Sequence, residues 1–206
     1  MTTAARSRLL QALKLKGRVA PADLPAAVGL DDTTCAALLT QLTAEGHVED
    51  TRGRLKLTGS GRDHLTEALA GERRDIDQAA LAQLYHEFDE HNRTLKTLMA
   101  RWQLRDQNTP NDHSDSAYDE AVIVDLLALD ERFGPLLARM VGLAPRLSHY
   151  PPRFATALQR VRGGDHSWFA RPLADSYHTV WFELHEDLIG LTGRTRAEEA
   201  AAGRAE

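Results

Sequence analysis

Residues 19–65 read VAPADLPAAVGLDDTTCAALLTQLTAEGHVEDTRGRLKLTGSGRDHL. A short helical segment opens at Pro21, which suits a first helical turn because its missing N–H has no partner there, and Gly29 closes it. A second helix follows, with Asp31 or Asp32 as its N-cap and Ala36, Leu38, Leu39 and Leu42 marking its buried face up to Gly46. His47–Asp50 and Arg54–Leu57 alternate as strands do, and Thr51-Arg52-Gly53 between them is a tight turn with Gly53 free to take a positive φ. Thr58 or Ser60 then caps a further helix. Helix, turn, helix, hairpin, helix is the order this stretch dictates.

Before it, Ala5, Leu9, Ala12 and Leu13 recur at helical spacing, so residues 3 to 15 form an amphipathic helix. Gly17 ends that helix after Lys14 and Lys16, whose charges suit the negative end of a helix dipole. The element order is that of a winged helix-turn-helix, and the segment LTGSGRDHL is similar to the one that leaves the wing in MarR- and PadR-like transcription regulators. The resemblance covers about a quarter of the chain. It implies a DNA-binding front whose second helix enters the major groove, with Thr33, Thr34, Thr40 and Gln41 facing the bases. Arg52, Arg54 and Lys56 of the wing would then reach phosphates or the minor groove.

Two departures bear on that expectation. Pro25 lies inside the short helix between Pro21 and Gly29, and the recognition helix holds no Lys or Arg and begins at two aspartates. Phosphate contacts therefore shift to the wing and the basic end of the first helix. A winged helix used for protein contacts is the alternative. Cys35, the only cysteine, reads as a small buried residue, since the neighbouring aspartates disfavour a thiolate.

The bulk properties agree with a globular protein: 206 residues suffice for one large or two small domains, and one cysteine excludes an internal disulfide framework. The basic N-terminus lacks an uninterrupted apolar core, and the most apolar run, AVIVDLLAL, is short and carries Asp125. Neither a secretory leader nor a membrane span is expected, which points to a cytoplasmic protein. The net charge is −5, yet 11 of the 25 Lys and Arg against 10 of the 30 Asp and Glu lie within residues 1–75. The front is thus slightly positive and the remainder acidic, the sign a DNA-binding front requires.

Past residue 75 the sequence predicts a mainly α protein. A helix of about 28 residues runs on directly from the wing region, with Leu81, Leu84, Phe88, Leu95, Leu98 and Trp102 at near-heptad spacing. Such a stripe can pair with a second copy, so a homodimer is expected. Asn92 interrupts it and either fixes helix register or bonds a ligand, with His91 and Lys96 beside it. In the loop QNTPNDHSDSAYDEAV, Ser116 and Asp119 have capping-box spacing, while His113, Asp115, Tyr118 and Asp119 together are dense enough to line a pocket. Val122, Leu126, Leu129, Phe133, Leu136 and Met140 continue the core, with a break expected at Gly134-Pro135. HYPPR (149–153) reads as an extended turn, followed by a short helix near residues 154–161 that Gly163-Gly164 stops.

A last helix carries Leu173, Tyr177, Val180, Trp181, Leu184, Leu188 and Leu191 on its apolar face, ends at Gly193 and precedes a frayed tail. His178 and His185 share one side of it, but H-E-x-x-H fails because position 189 is Ile, so no metal is expected. The segments NDHSDSAYD (111–119) and SYHTVWFELHEDLIGLTGR (176–194) are similar to helical tails of proteins related to pyruvate phosphate dikinase. That likeness implies a sensor or interaction module and carries over no catalytic residue. The domains expected are thus 1–75 for DNA binding, 76–195 for dimerisation and effector binding, and 196–206 as a tail.

The functional expectation is a DNA-binding regulator, a repressor by this reading, that senses a small molecule without a cofactor. Tyr85, Asn92, Lys96, Trp102, His113, Asp115, Tyr118, Asp119, Trp168, Tyr177, His178, Trp181 and His185 are its candidate ligand residues. An adaptor without DNA binding and a metal-dependent helical enzyme are the alternatives. The enzyme has the least support, since the chain has no P-loop, Gly-rich dinucleotide turn, G-x-S-x-G or zinc signature.

Overall fold

A computed structural model describes residues 3–106, 108–172, 174–194 and 196–201, and within them the chain is mainly helical with one small antiparallel sheet. The front holds α1 (Thr3–Lys16), a 3-10 turn (Pro21–Asp23) running into α2 (Leu24–Val28), α3 (Asp32–Ala44), β1 (Val48–Asp50), β2 (Leu55–Leu57) and α4 (Gly59–Asp75). Pro25 causes no break because it occupies the first turn of α2, where its missing donor is unused. Gly29 closes α2 at φ 63°. Asp31 is the cap of α3, its carboxylate accepting the Thr34 N–H at 2.8 Å. Cys35, Leu38 and Leu42 form the buried face of α3, whereas Ala36 is exposed and Leu39 half-buried, one position round from the face expected.

Val48 pairs with Leu57 and Asp50 with Leu55, Thr51 and Arg54 then exchange hydrogen bonds of 2.8 and 3.3 Å, and the loop these close is two residues long. Both of its central residues have positive φ, Arg52 at 58° and Gly53 at 76°, the geometry of a type I′ turn that matches strand twist. Val19 adds a bridge on the other side of β2, exchanging two hydrogen bonds of 3.0 and 2.8 Å with Leu55. Thr58, not Ser60, caps α4 by accepting the Gly61 N–H at 3.0 Å. Gly61 is required there: a Cβ at this position would lie 2.1 Å from the His47 carbonyl oxygen. Leu9, Leu10 and Leu13 of α1 anchor one hydrophobic cluster with residues of α2, α3, the hairpin and α4.

The long helix expected within residues 71–106 is present as 26 residues, and it is separated by a break from the helix that leaves the hairpin. α4 stops at Asp75, Ile76 is extended, and Asp77 caps α5 (Gln78–Gln103) by accepting two backbone N–H groups. The Asp cap competes with continuation of the helix and wins. The stripe Leu81, Leu84, Phe88, Leu95, Leu98 and Trp102 is buried against α6 (Ser116–Leu143) and α8 (Tyr177–Thr192) of the same chain, in a second cluster. It is thereby unavailable to a second copy. α6 is capped by Asp115 rather than Ser116 and runs unbroken through Pro135, which sits on its exposed side. A 3-10 turn (Pro145–His149) leads to α7 (Tyr150–Arg162), so HYPPR is helical: Pro151 and Pro152 fill the first turn, which needs no donors.

The apolar face of α8 is buried as its spacing predicts, with Leu173 outside the described residues. Gly193 ends α8 at φ 72°, and α9 (Arg196–Ala201) begins the segment expected to fray; residues 202–206 lie outside the described ones. No described helix is long and apolar enough to cross a membrane.

Candidate functional site

On α3 the capped start and the burial of Cys35, Leu38 and Leu42 turn the opposite face to solvent. Thr33, Ala36, Ala37, Thr40 and Gln41 are exposed there, and Thr34 is half-buried. Two of the four polar candidates already have local partners: the Thr34 hydroxyl donates to Asp31 at 2.7 Å and the Thr40 hydroxyl to the Ala36 carbonyl at 2.9 Å. Asp31 is held below the usual carboxylate range by the Thr34 backbone and hydroxyl donors, so it is ionised at neutral pH at the exposed start of the helix. Burial, then Asp32 and Asp31, push the Cys35 thiol up, which keeps it an unreactive core residue.

The hairpin presents its cations differently from one another. Arg52 and Arg54 are exposed at the tip, and among the described residues neither has an acidic partner. Lys56 stands opposite Glu49 and binds it at 2.8 Å, so its charge is largely spent. Of the basic end of α1, Lys14 remains exposed but Lys16 turns inward, to Glu183 at 2.6 Å and Asp175 at 3.1 Å.

The candidate ligand residues gather in two places. Near the start of α5, the Tyr85 hydroxyl donates to Glu199 at 2.7 Å and lies 3.0 Å from His185 Nε2, with Arg194 over the Tyr85 ring. Beside it Asn92 accepts the Trp181 indole N–H at 3.0 Å, so the polar interruption of the stripe satisfies a buried tryptophan. At the other end of α5, about 25 Å away for seventeen helical residues, Trp102 stacks near His113, and Asp119 accepts from Asn111 at 2.8 Å and lies 2.9 Å from His113 Nδ1. Tyr118 donates to the Arg101 carbonyl at 3.0 Å, and Asp115 joins its capping bonds to one from Arg105. These bonds fasten the loop to α5 and α6. His113, at φ 59°, adopts the left-handed conformation within them.

Tyr177, Trp168, Lys96 and His178 complete the set. Tyr177 donates to Asp130 at 3.1 Å, and burial followed by Asp130 pushes its phenol well above its ordinary range. Trp168 lies half-buried under Arg160, and Lys96 and His178 are half-buried on α5 and α8. Two surface hollows, of about 260 and 600 Å³, are lined by none of the thirteen. Among the described residues no group of three His, Cys, Asp or Glu side chains could hold a metal ion.

One buried network has no counterpart in the sequence reading. Arg146 binds Glu72 of α4 at 2.7 Å and Asp187 of α8 at 2.9 Å, and the Tyr150 hydroxyl donates to the second oxygen of Asp187 at 2.6 Å. Arg153 binds Glu183 at 2.6 Å and Asp175 at 2.9 Å, both of which also hold Lys16 of α1. Burial lowers the Arg146 pKa and is more than offset by Asp187 and Glu72, so the guanidinium stays charged. The network ties the front helices to the helical remainder. Its members come from five distant stretches of sequence, and no local spacing signals them.

The chain matches no known family model, no curated protein and no solved structure.

Proposed function

We propose that the front of the chain is a winged helix-turn-helix that binds duplex DNA, and that the protein is a transcription regulator. The observation that carries this reading is the adjacency, in one small unit, of a side-chain-capped helix with an uncharged polar outer face and a two-residue hairpin tip bearing two unpaired arginines. Thr33, Thr40 and Gln41 offer base-edge contacts, and Arg52 and Arg54 offer charge for phosphates or the minor groove. A helix-turn-helix protein meets two half-sites with two copies, so the working form in this reading is a homodimer. Because the α5 stripe is consumed within the chain, the copies pair through another surface. A small effector would act by favouring one spacing of the two DNA-binding units.

The acidic start of α3 and its lack of cations support a second reading, in which the same unit contacts a protein. A gel-shift titration at low salt separates the two, using duplexes that include the DNA upstream of the protein's own gene. Retarded complexes that dissolve as salt rises are expected. Absence of any shift at low salt overturns the DNA reading and leaves the adaptor.

A further inference from the structure

Four cations from different parts of the front converge on a hollow at the base of the hairpin. The hollow has a volume of about 260 Å³, and Leu13 and Leu57 form part of its lining. Lys14 comes from the last turn of α1, Arg18 from the bridge segment, Lys56 from β2 and Arg62 from the first turn of α4. The bridge between Val19 and Leu55 is antiparallel, so Arg18 stands opposite Lys56, one step along. On the other side of β2, Glu49 stands opposite the same lysine.

Charge and continuity select an occupant. Among the described residues Glu49 is the one carboxylate that binds any of the four, so three positive charges on the rim are uncompensated. Arg62 uses one nitrogen on the Leu57 carbonyl at 3.3 Å, which holds the guanidinium at the edge of the hollow. Arg54 just before β2 and Lys56 within it are two residues apart, the spacing that puts extended-chain side chains on one side, so the hollow continues the cationic stretch of the hairpin. Arg54 and Lys56 are separated by about 7 Å of extended chain. A DNA strand carries a phosphate about every 3.4 Å of axis, so this pair spans about two phosphates.

We infer that the hollow bounded by Lys14, Arg18, Lys56 and Arg62 is a second phosphodiester site, which grips the DNA backbone beyond the contacts of the hairpin tip. The inference rests on the DNA-binding reading above. It supplies the positive charge that α3 lacks and assigns it to residues at the base of the hairpin. Arginine forks suit phosphate oxygens, and the shallow apolar floor brings no base-reading group, so the site contributes affinity without sequence preference.

The test is the salt dependence of duplex binding by the full chain, measured by fluorescence anisotropy between 50 and 200 mM salt, values chosen as roughly the range in which counterion release dominates. The variants are Lys14→Gln/Arg18→Gln, Arg52→Gln/Arg54→Gln and, as a control on an exposed cation elsewhere, Arg74→Gln. The hollow variant should lower the slope of log affinity against log salt by about 2, roughly 0.9 for each lost contact, and weaken all duplexes alike. Its thermal midpoint should stay near that of the parent, because both side chains are exposed. A parent-like slope and affinity in that variant overturn the second site while the DNA reading stands. A parent chain that binds no duplex at low salt overturns both.

Discussion

Arg52 occupies the left-handed region at φ 58°, a conformation that costs an L-residue with a Cβ about 1–2 kcal/mol. Its neighbour Gly53 takes the same conformation freely. A hairpin selected for stability alone would place Asn or Gly at position 52. The cation is kept at the cost of strain, which supports a role in binding. Arg52→Gly should therefore raise stability by about 1 kcal/mol and weaken duplex binding, measured by urea denaturation and anisotropy on the same sample. Weaker stability, or unchanged binding, removes this argument for the hairpin tip.

His149 poses the complementary case of a buried titratable group. Burial, opposed by Asp187 and reinforced by Arg153, depresses its pKa from 6.5 to about 3, and its ring lies tilted against that of Tyr150 at 4.1 Å. A depressed histidine pKa means that the unfolded chain binds the proton first. The stability it confers is complete above pH 6.5 and is lost as pH falls towards 3. Between pH 7 and 5 the parent should lose about 2 kcal/mol more than His149→Gln, read from urea midpoints at the two pH values. Equal losses in the two proteins would show that His149 titrates normally.

At the scale of elements, the helices and the hairpin were legible because their signals are local. Gly29, Gly53 and Gly193 mark chain reversals that take positive φ, and the apolar spacing of α5 and α8 gives their buried faces directly. The misreadings also have local causes. Pro151-Pro152 reads as a helix breaker, yet two prolines in a first turn cost no hydrogen bond. Pro135 does remove a mid-helix donor, but α6 continues through it because long flanking turns packed in the core hold it. The stop at Ile76 depended on recognising Asp77 as a cap within an otherwise helical run. Of the candidate site, residues on α3 and at the hairpin tip were readable from the hairpin grammar. Which cations remain uncompensated was not readable: Lys56 is paired across the sheet, Lys16 by α8, and only the folded register brings Arg18 beside Lys56. The indole of Trp181, 89 residues away, that bonds Asn92 was likewise beyond any local spacing.

At the scale of the molecule, two hydrophobic clusters meet across charges rather than across a greasy seam. Glu72 of the front binds Arg146 and Lys16 binds Glu183 and Asp175, while Asp187 and Arg153 extend these pairs on the side of the helical cluster. Arg73 adds a bond to the Gly190 carbonyl at 3.0 Å, and Gly29 leaves so little room that a Cβ there would fall 2.9 Å from His149. A junction of this kind is specific in angle, because Asp175, Glu183 and Asp187 each accept from two groups whose positions are fixed by different elements. It is also costly to break, since removing one partner leaves a charge buried without compensation. Asp187→Ala leaves Tyr150 without its acceptor and Arg146 with Glu72 alone, and should cost about 3 kcal/mol in urea unfolding. The paired replacement Arg146→Met/Asp187→Leu removes both charges and should recover much of that loss, because an apolar pair of similar size avoids the desolvation that the ion pair incurs. If the junction also sets the angle of the DNA-binding unit, the double variant regains stability without regaining duplex affinity. Recovery of both together would make the junction a matter of stability alone, and recovery of neither would mean that Glu72 and Tyr150 depend on these charges more than the pair itself does.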